Sequence, residues 1–475
     1  MKQQRYLFKV LALIMFGLFL LLAVYGGYSI FTYGNRWFSY SRNPRVRAQK
    51  EAVVAGDILD RNGVILATTV DGKRTYQADE ASRRAVVHLL GDSQGQVSNG
   101  VETFQTSYLY GFQTPMTEMI SALLRGETRR GDNVTLTIDS RLCTEITRSF
   151  ARRNPGKNGA AVVMNYRTGE VVGIISLPCF DPLNITSDTL ADPGKPFWNR
   201  ATQSVYPPGS SFKIITTASA LANIPNVNTQ TLTCNGGLAV MNQAIRDYSG
   251  AVHNQLTLRS AFRQSCNNVF ALLALNLGDE TLRKTAESFG FNDNFLFRDL
   301  VVENSTYPTT NRNQFEIATT GIGQSALAAT PVHMCMVAAA IANDGVMMEP
   351  RTMLKVTTAA GSSRSVFEQK VYRTVLTPEQ AAPIQSYMRD VVTSGTGTRA
   401  SVSGLNVCGK TGSAESSLAG SDVTYGWFVG YIDNDDLPYA VSVLVESIED
   451  GEGGGSTAAP VAGDIFTYLR DHTDR

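Results

Sequence analysis

The sequence predicts an α+β chain held at a membrane, with helices packed on an antiparallel sheet. Three observations point there. Residues 10–31 carry no charge, three β-patterned runs follow one another near the C-terminus, and helical patterns alternate with polar loops between these two regions. Consecutive strands joined by short connections pair antiparallel, and the helical middle must then cover that sheet.

The uncharged interval extends from Lys9 to Arg36, enough for one membrane-spanning helix at 1.5 Å per residue. No A-x-A cleavage pattern precedes the polar stretch, so an uncleaved anchor is expected over residues 10–32, after a cytoplasmic tail of residues 1–9. Lys2, Arg5 and Lys9 flank one end, and Arg36, Arg42, Arg45, Arg47 and Lys50 the other. By the positive-inside rule alone this charge count keeps the bulk of the chain inside, although large domains translocate largely regardless of such charges.

The 475 residues, 43% hydrophobic and 18% charged, suffice for a large core and more than one domain. The 42 basic and 42 acidic residues cancel, which disfavours a nucleic-acid partner. The six cysteines (Cys143, Cys179, Cys234, Cys266, Cys335 and Cys408) are scattered without a CxxC pair, and there are four histidines. No metal site is expected from that spacing, and the cysteines read as apolar filler in the core.

After the anchor, AGDILDRNGVILATT places two alternating runs around Asn62-Gly63, a β-hairpin signal. The polar stretch RRGDN marks an expected boundary between a small, mostly β region of residues 33–132 and a larger domain of residues 133–475. A helical pattern from Arg141 to Arg152 and a second hairpin, VVMNYRTGEVVGIIS, turning at Thr168-Gly169, follow. TLRSAFRQ and NNVFALLALNLG read as helices; GLNVCGK, YGWFVGYID and YAVSVLVES read as strands. A Gly-rich hinge, Gly451 to Gly455, then leads into an amphipathic helix from about Ala458 to Arg470.

SVYPPGSSFK holds the first chemical motif. Pro207, Pro208 and Gly209 cannot continue a helix backwards, so a helix begins at Ser210, and residues three apart then set the Ser210 hydroxyl beside the Lys213 amine. Serine becomes a nucleophile when a neighbouring base takes its proton, and lysine is such a base when burial or another cation lowers its pKa. The helix start also offers free N–H groups to a developing oxyanion. Taken alone, Ser210 is equally well a helix cap and Lys213 a solvated side chain.

AFRQSCNNVF supplies Ser265 and Asn267, two apart where one helix ends and another begins, able to face one cleft while Cys266 packs away. The hydroxyl can pass a proton and the amide can hold a substrate carbonyl; alone, such residues cap helices. VCGKTGSAE supplies Lys410, the cation that Lys213 needs, with Thr411 and Ser413 as carboxylate binders. Gly412 between them leaves room for a peptide to pair with the strand edge. Alone, this segment is a basic strand end before a turn.

The three motifs occur in the order SxxK, SxN, KTG, separated by 55 and then 145 residues, and each meets a need of the others. Together they resemble the set shared by β-lactamases and penicillin-binding proteins. Most of the chain after the anchor resembles a class B penicillin-binding protein, a monofunctional D,D-transpeptidase of cell-wall synthesis. AGDILDRNGVILA resembles an N-terminal family element, with Ala55 where arginine is usual, as does GVETFQTSYLYG; LTIDSRL resembles the usual entry to the transpeptidase domain. TGEVVGIISLPCFDP, NRATQSVYPPGSSFK, GIGQSALAATP, IANDGVMMEP and YGWFVGY also resemble family blocks.

The resemblance implies a central antiparallel five-stranded sheet flanked by helices, the penicillin-binding protein transpeptidase/β-lactamase-like fold. It implies that Ser210 is the acylated nucleophile, Lys213 its base, Ser265 and Asn267 a second wall, and Lys410, Thr411, Gly412 and Ser413 a strand wall. The N–H groups of Ser210 and Ser413 would form the oxyanion hole, and the implied reaction requires no cofactor or metal. The implied substrates are peptidoglycan stem peptides, a D-alanyl-D-alanine donor and an amine acceptor, with β-lactams acylating Ser210 instead. The domain after residue 32 would then lie outside the membrane, overruling the charge count. Residues 33–132 would form a pedestal too short for a fused glycosyltransferase, which implies a separate polytopic one as partner.

A β-lactamase would need a glutamate to activate water, and Glu303-Asn304 lacks the usual E-x-x-x-N spacing. A β-lactam sensor should show more membrane helices and an effector, and a scaffold should tolerate Ser210→Ala. A D,D-carboxypeptidase differs only in the acceptor, water in place of an amine.

Overall fold

The computed structural model of this chain describes residues 2–38, 50, 52–126, 128–310, 312–416 and 423–472. Of the cations weighed for orientation, Arg42, Arg45 and Arg47 lie outside these residues.

Helix α1, Lys2–Phe38, contains the apolar run Tyr6–Ser29, with mean hydropathy 2.7 and the length to cross a bilayer. Its large side chains, among them Phe8, Leu13, Phe16 and Leu22, are exposed. A second apolar helix, Pro331–Ala342, has nearly all its residues buried, which separates a core helix from one suited to lipid.

The strands in chain order are β1 (Ile58–Leu59), β2 (Ile65–Val70), β3 (Lys73–Tyr76), β4 (Asn133–Leu136), β5 (Gly159–Asn165), β6 (Val171–Leu177), β7 (Leu232–Cys234), β8 (Gly237–Val240), β9 (Gln243–Arg246), β10 (Asn254–Leu256), β11 (Val346–Met348), β12 (Met353–Thr357), β13 (Ser363–Val366), β14 (Val371–Thr374), β15 (Val407–Ser416), β16 (Val423–Ile432) and β17 (Tyr439–Val445). The helices used below are α1, α2 (Ser140–Arg153), α3 (Lys213–Asn223), α4 (Leu258–Gln264), α5 (Asn267–Ser288), α6 (Pro331–Ala342), α7 (Pro378–Ser394) and α8 (Ala458–His472).

The central sheet has five antiparallel strands in the order β15-β16-β17-β5-β6. In β5 and β17 successive residues are buried with no alternation, so both faces are covered. Helix α6 packs on β17, β16 and β5, while α8 packs on β16, β17 and α2. β15, which carries the third motif, is the edge strand. The two expected hairpins are present: β1–β2 around Asn62-Gly63, and β5–β6, where Gly169 sits at φ +77.

A six-stranded sheet, β13-β12-β4-β1-β2-β3, joins strands from both sides of residue 133. The region before β4 departs from the mostly β expectation. Among its described residues three strands, ending at Tyr76, are followed by five short helices between Glu80 and Leu124. None exceeds 9 residues, too short for a sustained 3.6-residue pattern to show.

Candidate active site

The turn that presents Ser210 is built by the residues around it. Gly209 adopts φ +53, and a Cβ there would lie 2.4 Å from Ser413 O, so glycine is required both for the conformation and for contact with β15. Ser211 Oγ donates to Pro208 O at 2.6 Å, Trp427 Nε1 to Pro207 O at 3.0 Å, and Gly209 N to Gly323 O at 2.9 Å. Residues Gly209–Phe212 form a 3-10 turn and α3 begins only at Lys213, so the expected α-helical start at Ser210 is tighter than foreseen. In a 3-10 turn side chains at i and i+3 eclipse, which keeps Ser210 and Lys213 on one side. Ser210 is half-buried, and its N–H has no backbone partner among the described residues.

Lys213 is fully buried and does not hydrogen-bond Ser210 among the described residues. Its Nζ donates to Ser265 O and to Asn267 Oδ1, each at 2.7 Å, and lies 3.3 Å from Ser265 Oγ. Lys410, also fully buried, donates to Ser265 Oγ at 2.9 Å and to Thr411 O at 3.1 Å. Each ammonium faces an aromatic ring, Lys213 that of Phe270 at 5.3 Å and Lys410 that of Phe262 at 5.6 Å. The expected proximity of the two lysines is therefore present, with Ser265 between them.

Burial is the first cause of the shift at both lysines. It pulls Lys213 down to about 7. It pulls Lys410 well below the usual lysine range, with the neighbouring Lys213 charge adding to it. Sequence reasoning offered burial or the Lys410 charge as the cause at Lys213; desolvation is what lowers it, the Cys266 and Asp247 charges oppose the shift, and the repulsion between the lysines acts on Lys410. Two ammonium groups on one hydroxyl in a dry pocket cannot both stay charged, so the pair titrates as a unit. A neutral lysine has a lone pair for a serine proton, and Ser265 Oγ can hand that proton on.

Ser265 closes α4 in the left-handed conformation, φ +58, which costs a non-glycine residue about 1–2 kcal/mol. Its N–H donates to Phe262 O at 3.1 Å, and its own oxygens receive the two lysines. Cys266 is extended and buried, so Asn267 returns to the pocket side and starts α5. Asn267 Nδ2 donates to Arg246 O at 2.9 Å.

On β15, Thr411 and Gly412 are buried and Ser413 is half-buried. Thr411 Oγ1 shares a hydrogen bond of 2.5 Å with Thr396 Oγ1, and Ser413 Oγ accepts from Gly454 N at 3.3 Å. Gly412 also has a purpose within the fold that the sequence reading did not name. A Cβ there would meet Pro208 O at 2.8 Å and Ser211 N at 3.1 Å, so its missing side chain seats the nucleophile turn on the strand. Glu303 is exposed and accepts the N–H of Asn304 at 3.3 Å. Among the described residues it makes no hydrogen bond to Ser210, Lys213 or Ser265.

Sequence reasoning missed Asp247. It is buried and accepts the Asn267 N–H on Oδ1 and Asn268 Nδ2 on Oδ2, the latter at 2.6 Å. It also missed Thr396 and the two phenylalanine rings. Asp247 and Thr396 stand outside the three motifs and join the site only through the fold, while Phe262 and Phe270 flank Ser265 and Asn267 within AFRQSCNNVF and carry no chemical signature of their own.

Residues 159–467 match the family model described as the penicillin binding protein transpeptidase domain. The chain is 30% identical over 448 residues to the peptidoglycan D,D-transpeptidase PbpA of Mycolicibacterium smegmatis, covering 88% of this chain and 90% of that one. It is 29% identical over 430 residues to stage V sporulation protein D of Bacillus subtilis, covering 84% of this chain and 65% of that protein. Among solved structures, the imipenem acyl-enzyme complex of penicillin-binding protein A from M. tuberculosis superposes with a TM-score of 0.79 at 27% identity. It covers 89% of this chain and all of that one.

Proposed function

This chain belongs to the penicillin-binding protein transpeptidase family, and from that premise we propose that it is a peptidoglycan D,D-transpeptidase acylated at Ser210. The observation that carries the reading is the convergence of two buried, pKa-depressed lysines on Ser265 Oγ, one of them in the first turn after Ser210.

In this reading the lysine pair takes the Ser210 proton as Oγ bonds to the carbonyl carbon between the two terminal D-alanines of a stem peptide. Charge gathers on the carbonyl oxygen, opposite the N–H groups of Ser210 and Ser413; losing one such donor typically costs about 2.7–4 kcal/mol. The intermediate collapses, the C–N bond breaks, and D-alanine leaves with the proton passed through Ser265. An amine of a neighbouring stem then bonds to the acyl carbon and loses its proton to the lysine pair, which returns it to Ser210 Oγ as the ester bond breaks. Asn267, Thr411 and Ser413 hold the substrate's carbonyl and carboxylate groups. A β-lactam imitates the D-alanyl-D-alanine end, acylates Ser210 and leaves slowly.

One apolar N-terminal helix is compatible with a single-pass anchor. We extend the reading to its topology: the chain after residue 32 faces outward, where the substrate is, residues 33–132 serve as a pedestal for residues 133–475, and a separate polytopic glycosyltransferase supplies the glycan strands. Labelling with a fluorescent penicillin, with Ser210→Ala as control and peptide mapping of the adduct, tests the central claim. A stable adduct on Ser210 supports it. Label that persists in Ser210→Ala, or maps to another residue, overturns it.

A further inference from the structure

Behind the Ser265–Asn267 wall, Cys234, Asp247, His253 and Cys266 bring one ligand atom each within 4.8 Å of one another. Cys234 Sγ lies 3.0 Å from Asp247 Oδ2 and 3.5 Å from His253 Nδ1. Asp247 Oδ2 lies 3.4 Å from Cys266 Sγ and 3.5 Å from His253 Nδ1. Around a tetrahedral zinc with bonds of 2.0–2.3 Å, neighbouring ligand atoms stand about 3.3–3.8 Å apart, so these four of the six separations already sit close to the edges of such a tetrahedron.

The four residues come from β7, the turn after β9, the residue before β10, and the junction of α4 and α5. Their spacings of 13, 6 and 13 residues match no short metal motif, which is why the sequence pointed to no metal. Cys234, Asp247 and Cys266 are buried, and His253 forms the outer edge with its side chain 15% exposed. One oxygen, Asp247 Oδ2, has both thiols and Asn268 Nδ2 directed at it, with His253 Nδ1 alongside. A carboxylate oxygen has two lone pairs, so this crowd exceeds what it can accept. A cation in the middle would resolve the excess, because it replaces both thiol protons.

We propose that Cys234, Asp247, His253 and Cys266 form a closed, structural Zn2+ site that fixes the wall carrying Ser265 and Asn267. Two thiolates, an imidazole and a carboxylate in tetrahedral array suit Zn2+ and not Mg2+ or Ca2+, which take oxygen ligands in larger number. Binding releases two thiol protons to solvent and forms four metal–ligand bonds, with no change of oxidation state. Four protein ligands leave no position for substrate or water, so the ion's work is positional. Cys266 stands between Ser265 and Asn267, and Asp247 holds the Asn267 N–H on its other oxygen. The ion thus ties three segments to the loop that the two lysines address. It also keeps the thiols from closing a disulfide, which would pull Cys266 away from this position.

The site stands on donor geometry alone, so its test needs no substrate. The full chain is purified in detergent without chelator, and metal is measured by inductively coupled plasma mass spectrometry. The expected result is about one zinc per chain, a fall in Tm on strong chelation, and its recovery with Zn2+ but not Mg2+. Co2+ substitution should give thiolate-to-metal charge-transfer absorption and the visible bands of a tetrahedral ion. Cys234→Ser should lose both; His253→Ala, changed at the exposed edge, keeps the fold measurable and should bind metal at least tenfold more weakly. A chain with no zinc and no Co2+ bands overturns the site, as does a Cys234–Cys266 disulfide in the native protein, or unchanged metal content in both variants.

Discussion

Lys213 and Lys410 reach one and the same oxygen, Ser265 Oγ, at 3.3 and 2.9 Å. Both are held below the usual lysine pKa, chiefly by burial. The unfolded chain therefore binds more protons than the folded one wherever the pH lies above the folded and below the unfolded value. For Lys213 that window runs from about 7 to the ordinary lysine value near 10.5, so folding stability rises with pH across it. The slope is at most about 1.4 kcal/mol per pH unit for each proton fully displaced. Urea unfolding of the full chain in detergent between pH 7 and 10 should show a rise that flattens in Lys213→Met/Lys410→Met. Parallel profiles for the two proteins would contradict the assignment.

Asn267 Oδ1 accepts from Lys213 at 2.7 Å, so Asn267→Asp places a carboxylate against the amine with almost no change of shape. An opposite charge at that distance favours the ammonium and raises its pKa by roughly 1–3 units. The acid limb of penicillin acylation, expected near pH 7 in the parent, should move upward, and acylation at pH 7 should slow by about tenfold or more. The lost Asn267 Nδ2 bond to Arg246 O adds roughly 1–2 kcal/mol of destabilisation, read separately from Tm. Rates measured from pH 6 to 10 decide the matter: a slower reaction with an unmoved limb would show that Lys213 is not the titrating base.

What the sequence disclosed and what it hid divide along one physical line. Ser210 with Lys213, and Ser265 with Asn267, are near neighbours in the chain, so turn and helix geometry alone sets their common side. The three terminal β runs were legible for the same reason, since each pairs with the next. Asp247 is 20 residues from the amide it holds, and Gly412 meets Pro208 only because β15 folds back across the nucleophile turn. β4 joins β12 in one sheet across more than 200 residues, which no local periodicity records. The left-handed Ser265 was equally hidden, because serine carries no αL signature of the kind glycine does.

Gly412→Ala tests the close approach of strand and turn. The added methyl would stand 2.8 Å from Pro208 O, a backbone atom that cannot swing aside. The turn must move off β15, carrying Ser210 away from the Ser413 N–H. Overpacking of this kind costs about 1–3 kcal/mol, and a misplacement near 1 Å at a reacting group costs on the order of 100-fold in rate. Acylation should fall by at least tenfold with a modest loss of Tm. An unchanged acylation rate would show that the turn and the strand are not locked together as the contact distances require.

Asp60, by contrast, should matter for stability and not for chemistry. It is fully buried; Oδ1 accepts the N–H groups of Asn62 and Val64, each at 2.9 Å, and Oδ2 accepts Ser140 N at 3.2 Å and Ser140 Oγ at 2.8 Å. One carboxylate thus closes the β1–β2 hairpin turn and caps the start of α2, joining strands before residue 133 to the helix that leads into β5. Asp60→Ala strands the buried N–H and O–H of Ser140 and leaves the exposed hairpin N–H groups of Asn62 and Val64 to water; an unsatisfied buried donor costs about 1–3 kcal/mol, and shared relaxation keeps the sum near roughly 3 kcal/mol. Asp60→Asn keeps the shape but turns an NH2 toward one pair of donors, so it should fall between the parent and Asp60→Ala. Thermal unfolding gives the ordering, and the acylation rate of the folded fraction at low temperature should match the parent. A variant that is stable yet slow to acylate would place Asp60 in the chemistry and refute its assignment as a structural brace.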